Sequence, residues 1–157
     1  MSVETVKKYF ETFEMADRVL VFETSSATVQ LAAQTLGVEP GRIAKTLSFR
    51  QNGGCLLVLA AGDAKIDNAK FRAAFGIKAR MLEPDEIVAM VGYAAGGVCP
   101  FGISEEIPVY LDRSLLRFLS VFPACGSGNS AIELTCDELY RTARAREWVD
   151  VCKGWEE

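Results

Sequence analysis

The 157-residue sequence contains no histidine. Histidine is the commonest general base near neutral pH and a frequent ligand of zinc and iron. Its absence excludes Ser-His-Asp and Cys-His hydrolysis within one chain, together with His-ligated metal sites. If the chain is an enzyme, we therefore expect a mechanism in which no protein group titrates near about pH 6.5.

Other common signals are missing as well. The five cysteines form no CxxC pair, so neither a zinc ribbon nor a thioredoxin-type motif is indicated, and buried, reduced thiols of a cytoplasmic protein are the simplest interpretation. Residues 1–14 carry charges every few positions and lack the apolar stretch of a signal peptide. The longest uncharged stretch, 87–104, is interrupted by glycine and proline, which argues against a membrane span.

The charge balance is slightly acidic, with 17 Lys and Arg against 21 Asp and Glu and a net charge of −4. Sequence-independent binding to duplex DNA needs a basic face, so DNA is not expected as a partner. Binding of one RNA end through a local patch is compatible with this net charge. Half of the residues are hydrophobic, and the length suits one domain over residues 1–157.

Hydrophobic periodicity, caps and turn residues predict alternating helices and strands. The sequence Asn52-Gly53-Gly54 between two apolar runs is the clearest hairpin. Since the strands come both as hairpins and as helix-separated singles, we predict a mixed sheet in a single α/β or α+β domain. The predicted helices are 3–15, 28–36, 67–75, 84–90 and 135–146, and the predicted strands are 19–22, 44–50, 55–61, 79–82, 107–111, 119–124, 131–134 and 148–152.

Two glycine-rich segments are candidate ligand sites. Residues 126–131 fit the pattern GxGxxA, but a strand rather than a helix is predicted to follow, so a dinucleotide site is disfavoured. A turn between strands, or a nest of backbone N–H groups around a ligand oxygen, remains open. In segment 96–102, adjacent glycines let the backbone approach a ligand and Pro100 fixes φ, although a tight crossover loop would use the same residues.

Lys45 lies among apolar neighbours at the start of a predicted strand. It either extends its ammonium to solvent or turns it into a pocket, where it would bind a phosphate or stabilise developing negative charge. Cys99 and Cys125 lie in the glycine-rich segments, but a catalytic thiolate there would need Lys45 or oriented amides to lower its pKa.

Taken in order, the segments resemble the YbaK family, the prolyl-tRNA editing-domain superfamily. No single motif is diagnostic, and the resemblance rests on the ordered set across nearly the whole chain. The matching segments are 36–38 with 43–47, Gly62-Asp63 after a strand, 92–102, Ile107-Pro108 with Leu111-Asp112, and 126–134.

The resemblance implies a fold, an activity and partners. Members of this family hydrolyse mischarged aminoacyl-tRNA, typically tRNA-Pro carrying alanine or cysteine, and have a mixed, barrel-like β-sheet flanked by helices. The implied partner is the acceptor end of an aminoacyl-tRNA, with an aminoacyl-tRNA synthetase as a possible second partner. Neither a metal nor an organic cofactor is implied, and neither DNA nor a membrane.

The resemblance also assigns roles to individual residues. It implies that Lys45, with Gly97, is catalytic and that the lysine contacts the terminal adenosine or its phosphate. The implied reaction is attack by water on the ester, helped by backbone N–H groups and a ribose hydroxyl. The substrate-binding residues it implies are Phe22, Thr28, Thr46, Gly96, Val98, Cys99, Pro100, Gly126, Ser127, Gly128, Asn129 and Ser130.

Two departures bear on specificity. The cysteine-specific branch has a tyrosine where Phe22 lies here and an aspartate where Ala131 lies, so alanine, serine, threonine or a non-proteinogenic small amino acid is as plausible as cysteine. Two other functions stay open: a non-catalytic module that binds aminoacyl-tRNA or an amino acid together with a synthetase, and a thiol-based redox enzyme that uses Cys99 or Cys125.

Overall fold

The computed structural model describes residues 1–156, which form five α-helices, ten short strands and three 3-10 turns. The helices are α1 (Val3–Glu11), α2 (Val29–Leu36), α3 (Asn68–Phe75), α4 (Pro84–Met90) and α5 (Cys136–Thr142). The strands are β1 (Leu20–Val21), β2 (Ile43–Gln51), β3 (Gly54–Ala61), β4 (Lys65–Ile66), β5 (Val109–Asp112), β6 (Ser120–Pro123), β7 (Ser130–Ala131), β8 (Leu134–Thr135), β9 (Glu147–Val149) and β10 (Cys152–Lys153). The 3-10 turns are Ala16–Arg18, Pro40–Arg42 and Arg113–Arg117.

Six strands form the main sheet in the order β8-β6-β2-β3-β5-β9. The β2–β3 hairpin is antiparallel, whereas β6 joins β2, and β5 joins β3, in parallel. Two ribbons complete the β structure, β1 with β7 and β4 with β10. This mixed sheet with helices packed around it confirms the predicted fold class.

The core forms around β3, whose residues from Cys55 to Ala61 are buried. A strand covered on both faces needs a continuous apolar run rather than an alternating one, and the sequence Cys-Leu-Leu-Val-Leu-Ala-Ala provides it. On one side, Phe71 of α3 packs against Phe49 of β2 at a centroid distance of 4.6 Å. A separate small cluster lies under α2, where Ala32 and Ala33 let the helix approach Ile43 and Phe122.

The same edge of β2 is covered by two different segments. At its start, Ile43 and Ala44 pair with β6. Further along, Leu82 N–H donates to Ser48 O at 3.1 Å, and Arg50 N–H donates to Arg80 O at 2.8 Å. Alternation along a strand then directs the N–H and C=O of Thr46 to the interval between the two segments. We call this interval the split edge of β2.

Several predicted elements differ from those in the structure. The predicted strand 79–82 makes only one isolated bridge, between Met81 and Phe49, because it meets β2 only near that strand's end. The predicted strand 131–134 is divided, since β7 pairs with β1 while β8 pairs with β6, and the chain must bend between the two sheets.

Helices α1 and α5 are shorter than predicted. Glu14 and Arg144 adopt positive φ values of 59° and 53°, which turn the chain out of each helix before residues 15 and 146. Two short elements, β4 and the 3-10 turn at 113–117, were not predicted from the sequence. The predicted final strand, 148–152, is divided between β9 and β10, which belong to different sheets.

Candidate functional site

A cavity of about 230 Å³ opens at the split edge of β2. Its walls come from the start of α2 and the segment before it, from β2, from α4, from the 95–98 loop and from β6 and β7. The lining residues are Ser26, Ala27, Thr28, Val29, Ala32, Ile43, Ala44, Lys45, Thr46, Ile87, Ala95, Gly96, Val98, Phe122, Ala124, Ser130 and Ala131. Most of these side chains are small and apolar, so the cavity suits a compact group rather than a large ring.

Lys45 is the one ionisable side chain in this lining, as far as residues 1–156 go. It is partly buried, and its Nζ donates to the carbonyl oxygen of Ala64, just past the end of β3. Desolvation lowers the pKa of Lys45 from its ordinary value, and the charge of Asp63 opposes that shift in part. The lining therefore includes one lysine, whose ammonium is held by the Ala64 carbonyl, and it includes no carboxylate within residues 1–156.

Two threonines line the cavity. Thr28 is the N-cap of α2, and its Oγ1 accepts from Leu31 N–H at 3.1 Å, which leaves its own proton free to donate. The Oγ1 atom of Thr46 is buried away from the open cavity and has no hydrogen-bond partner within residues 1–156. The backbone of Thr46 faces the split edge, so its main-chain polar atoms are the ones that it can offer to a ligand.

The 96–102 segment contributes backbone to the cavity. Gly96 has a φ of +90°, and a Cβ there would lie 3.0 Å from Cβ of Ala27, so a side chain is disfavoured on both counts. Gly96 and Val98 line the cavity, and their N–H groups have no acceptor among residues 1–156. These amides are available to a ligand oxygen.

Gly97 has a different position from its neighbours. Its N–H donates to Ala94 O at 3.0 Å, and it does not line the cavity. A Cβ at Gly97 would lie 2.6 Å from the backbone nitrogen of Ser127. Gly97 is thus the point at which the two glycine-rich segments touch.

The second glycine-rich segment, 126–130, is a turn between strands that is bound to the chain around β1. Phe22 N–H donates to Asn129 O at 2.7 Å, and Asn129 Nδ2 donates to Phe22 O at 2.9 Å. Ser26 N–H donates to Gly128 O at 2.7 Å. Within the turn, the hydroxyl of Ser127 lies 2.9 Å from that of Ser130. No helix begins here, so the GxGxxA match is not a dinucleotide-binding element.

The cysteines of the glycine-rich segments are inaccessible. Cys99 and Cys125 are fully buried. Burial raises the pKa of Cys99 to about 12 and raises that of Cys125 as well. Both are therefore neutral thiols near pH 7, without the activation that thiol chemistry needs.

The structure brings six of the predicted site residues to the cavity and leaves the others out of its lining. Those in the lining are Thr28, Lys45, Thr46, Gly96, Val98 and Ser130. Those outside it are Phe22, Gly97, Cys99, Pro100, Gly126, Ser127, Gly128 and Asn129. Of these, Pro100 lines a separate cavity together with Tyr9 and Gly102. Lining residues that sequence reasoning missed include Ile87, Ala95 and Phe122, which are unremarkable apolar residues in the sequence.

Residues 1–156 contain no group of three or more Cys, Asp or Glu side chains placed to hold a metal ion. In the same residues, no helix combines the length and apolar character needed to cross a bilayer.

Two curated proteins are similar to this chain over most of its length. It is 55% identical to the uncharacterized protein YwhH of Bacillus subtilis (strain 168), over 99% of this chain and 100% of that protein. It is 28% identical to EbsC of Enterococcus faecalis (strain ATCC 700802 / V583), provisionally described as a Cys-tRNA(Pro)/Cys-tRNA(Cys) deacylase, over 87% of this chain and 82% of that one.

One solved structure and one family model also match the chain. A crystal structure provisionally described as a trans-editing enzyme for prolyl tRNA synthetase superposes with a TM-score of 0.87 at 31% identity, covering 97% of each chain. A family model described as an aminoacyl-tRNA editing domain matches residues 23–142. The chain therefore belongs to the aminoacyl-tRNA editing domain family.

Proposed function

We propose that this protein is a free-standing deacylase that hydrolyses the ester of tRNA mischarged with a small amino acid. The observation that carries the proposal is the cavity at the split edge of β2, which combines one ammonium group, two unpaired backbone N–H groups and small apolar walls. These are the parts needed to hold an aminoacyl ester, and the family to which the chain belongs edits such esters.

The size of the cavity supports a small aminoacyl group. A volume of about 230 Å³ lies below the range of roughly 300–1,000 Å³ usual for drug-sized ligands. Alanyl, seryl and cysteinyl groups fit such a volume. An apolar pocket discriminates weakly against an isostere that adds only a hydroxyl, so we expect activity on more than one of these groups.

The mechanism follows from what the lining provides. A water molecule adds to the ester carbonyl carbon, the carbonyl oxygen gains negative charge, and the N–H groups of Gly96 and Val98 can donate to it. The bond from carbon to the ribose oxygen then breaks, and that oxygen takes up a proton as the free amino acid and tRNA leave. Since the lining holds no carboxylate within residues 1–156, the neighbouring ribose hydroxyl is the group we assign to orient the water.

Lys45 and Gly97 have separate roles in this proposal. The ammonium of Lys45, held by the Ala64 carbonyl, binds the phosphate or ribose of the terminal adenosine and so fixes the ester at the amides. Gly97, whose own N–H is occupied, acts as a positioning residue that keeps the flanking amides of Gly96 and Val98 in place against the second turn.

Deacylation of a panel of mischarged tRNAs tests the proposal. We expect the wild type to hydrolyse alanyl-, seryl- or cysteinyl-tRNA, and Lys45→Ala to lower kcat/KM by about 100-fold, because the ester is then no longer held in position at the amides. Lys8→Ala, at an exposed lysine of α1, is the matched control and should keep wild-type activity. No hydrolysis of any panel member at micromolar enzyme would overturn the proposal. Tight binding of an uncleaved aminoacyl-adenosine mimic in that case would indicate a non-catalytic module.

A further inference from the structure

Two exposed lysines face each other on the small β4–β10 ribbon. Lys65 and Lys153 are direct cross-strand partners in its antiparallel register. Like charges at directly opposed positions destabilise a β pair. Neither lysine is in an ion pair within residues 1–156. The arrangement repels itself unless an anion binds between the two ammonium groups.

Two acidic side chains near the ribbon are already engaged by other cations. Asp63 accepts two hydrogen bonds from Arg117, at 2.9 and 2.6 Å. Asp150 lies 3.1 Å from Lys70 Nζ and 3.6 Å from Arg113. Asp67 caps α3 through Lys70 N–H at 3.0 Å, and its charge also acts on Lys153. The positive charge of the lysine pair is therefore offset only in part, and the remainder is left for a ligand.

The ribbon is held rigidly beside the cavity. The Nζ of Lys45 donates to the carbonyl oxygen of Ala64, the residue immediately before Lys65. At the other strand, Cys152 is fully buried, and the guanidinium groups of Arg113 and Arg117 lie 5.4 and 5.0 Å from the centre of the Trp155 ring. The pair thus begins one residue away from the contact that fixes the cavity lysine.

We propose that Lys65 and Lys153 bind the phosphate backbone of the tRNA acceptor end where it leaves the cavity. The inference rests on the proposed function for the identity of the ligand, and on the opposed lysines for the site. An RNA phosphate between the two ammonium groups replaces their repulsion by two attractions. It also explains how a chain of net charge −4 holds RNA, because the contact is local.

The test compares the double variant Lys65→Gln/Lys153→Gln with the control Lys8→Gln/Arg141→Gln. The control removes the same charge from exposed positions on α1 and α5, which do not line the cavity. Binding of an acceptor-stem minihelix without an attached amino acid is measured by fluorescence anisotropy at several salt concentrations. For the lysine pair we expect weaker binding by about tenfold and a salt slope that is smaller by about 0.7, the value for one phosphate of a single strand that is no longer neutralised. The control should keep the wild-type affinity and slope.

Kinetics separate this inference from the proposed function. In the lysine-pair variant, KM for mischarged tRNA should rise while kcat stays within twofold, and hydrolysis of an aminoacyl-adenosine that lacks the phosphates should not change. An unchanged affinity, slope and KM with an active wild type would overturn the lysine pair and leave the deacylase standing. A wild type that hydrolyses nothing, but whose minihelix binding depends on the pair, would overturn the deacylase and leave the lysine pair standing.

Two further measurements complete the test. The melting temperature of Lys65→Gln/Lys153→Gln should equal or exceed that of the wild type, because repulsion is removed; a lower value would overturn the reading of the pair as self-repelling. Inorganic phosphate should compete with the minihelix only at millimolar concentration. Competition at the affinity of the minihelix itself would assign the pair to a free phosphate ion and overturn the RNA assignment.

Discussion

At the residue scale, Gly97 shows how a site depends on an atom that is absent. Replacement by alanine would place a Cβ 2.6 Å from Ser127 N and 2.8 Å from the carbonyl carbon of Gly126. Backbone atoms cannot move aside as a flexible side chain does, so the two turns must separate. We expect Gly97→Ala to lower kcat/KM by at least about tenfold and to cost roughly 1–3 kcal/mol of unfolding free energy, as overpacking does.

The control for this prediction is Gly54→Ala at the start of β3, where the nearest atom to an added Cβ is Gln51 O at 3.7 Å. Urea unfolding and deacylation of the most active panel member are measured on both variants. If Gly97→Ala behaves like Gly54→Ala in both assays, the contact between the turns does not position the amides.

Some of the site residues could be predicted from the sequence and others could not. Lys45 and Thr46 could be placed at the cavity because they lie in a segment that resembles the family. Gly97 was expected among the groups that act on the substrate, but its contact with Ser127 joins residues 30 positions apart, and only the folded chain reveals it. Ile87 has no polar group to mark it, and it reaches the cavity because α4 crosses the split edge.

At the element scale, the start of α5 combines a capping box with an ion pair. Thr135 Oγ1 accepts from Glu138 N–H at 3.1 Å, and Glu138 accepts from Thr135 N–H at 2.9 Å. Arg18 donates to both carboxylate oxygens of Glu138, at 3.1 and 2.8 Å. These contacts, chiefly that with Arg18, lower the pKa of Glu138 to about 2.

We expect Glu138→Gln to lower the unfolding free energy at pH 7 by about 1 kcal/mol, the size of a lost cap with a partly exposed ion pair. A carboxylate whose pKa is lowered in the folded state stabilises the fold fully when the pH is above its ordinary pKa of 4.5. That stabilisation declines as the pH falls toward about 2. The difference between wild type and variant in urea unfolding should therefore shrink between pH 5 and pH 3.

The neighbouring exposed acid provides the control for α5. Asp137→Asn alters the charge of the same helical turn without touching Arg18, and it should change stability by less than about 0.5 kcal/mol at either pH. A constant difference for Glu138→Gln across the same pH range would show that the carboxylate charge does not stabilise α5.

Elements of this local kind were predictable, and those that depend on distant partners were not. The Thr135 cap and the Asn52-Gly53 turn are written in a few adjacent residues, and both lie where predicted. The segment 131–134 has strand composition but changes partner from β1 to β6, so its break cannot be read from its own residues. The same holds for 79–82, whose pairing depends on how far β2 extends.

At the scale of the whole molecule, the split edge of β2 joins elements that otherwise share few contacts. A ligand in the cavity would touch α2, α4, both glycine-rich segments and the edge of β2 at once. It would also give partners to the main-chain polar atoms of Thr46, which face the split edge. Binding should therefore stabilise the native state as a whole rather than one loop, because unfolding of any wall releases the ligand.

This reasoning predicts a large thermal shift with a stable mimic, an alanyl-adenosine in which an amide replaces the ester. At a concentration of 100 times Kd the native state gains about 2.7 kcal/mol, which for a chain of this length raises Tm by roughly 5–10 °C. Adenosine alone, which leaves the small apolar walls empty, should give less than half of that shift at the same concentration. Hydrogen exchange should slow at Thr46, Gly96 and Val98 in the complex, since these residues line the cavity. A mimic that raises Tm without protecting any of the three would bind elsewhere, and the cavity would then not be the site of the ester.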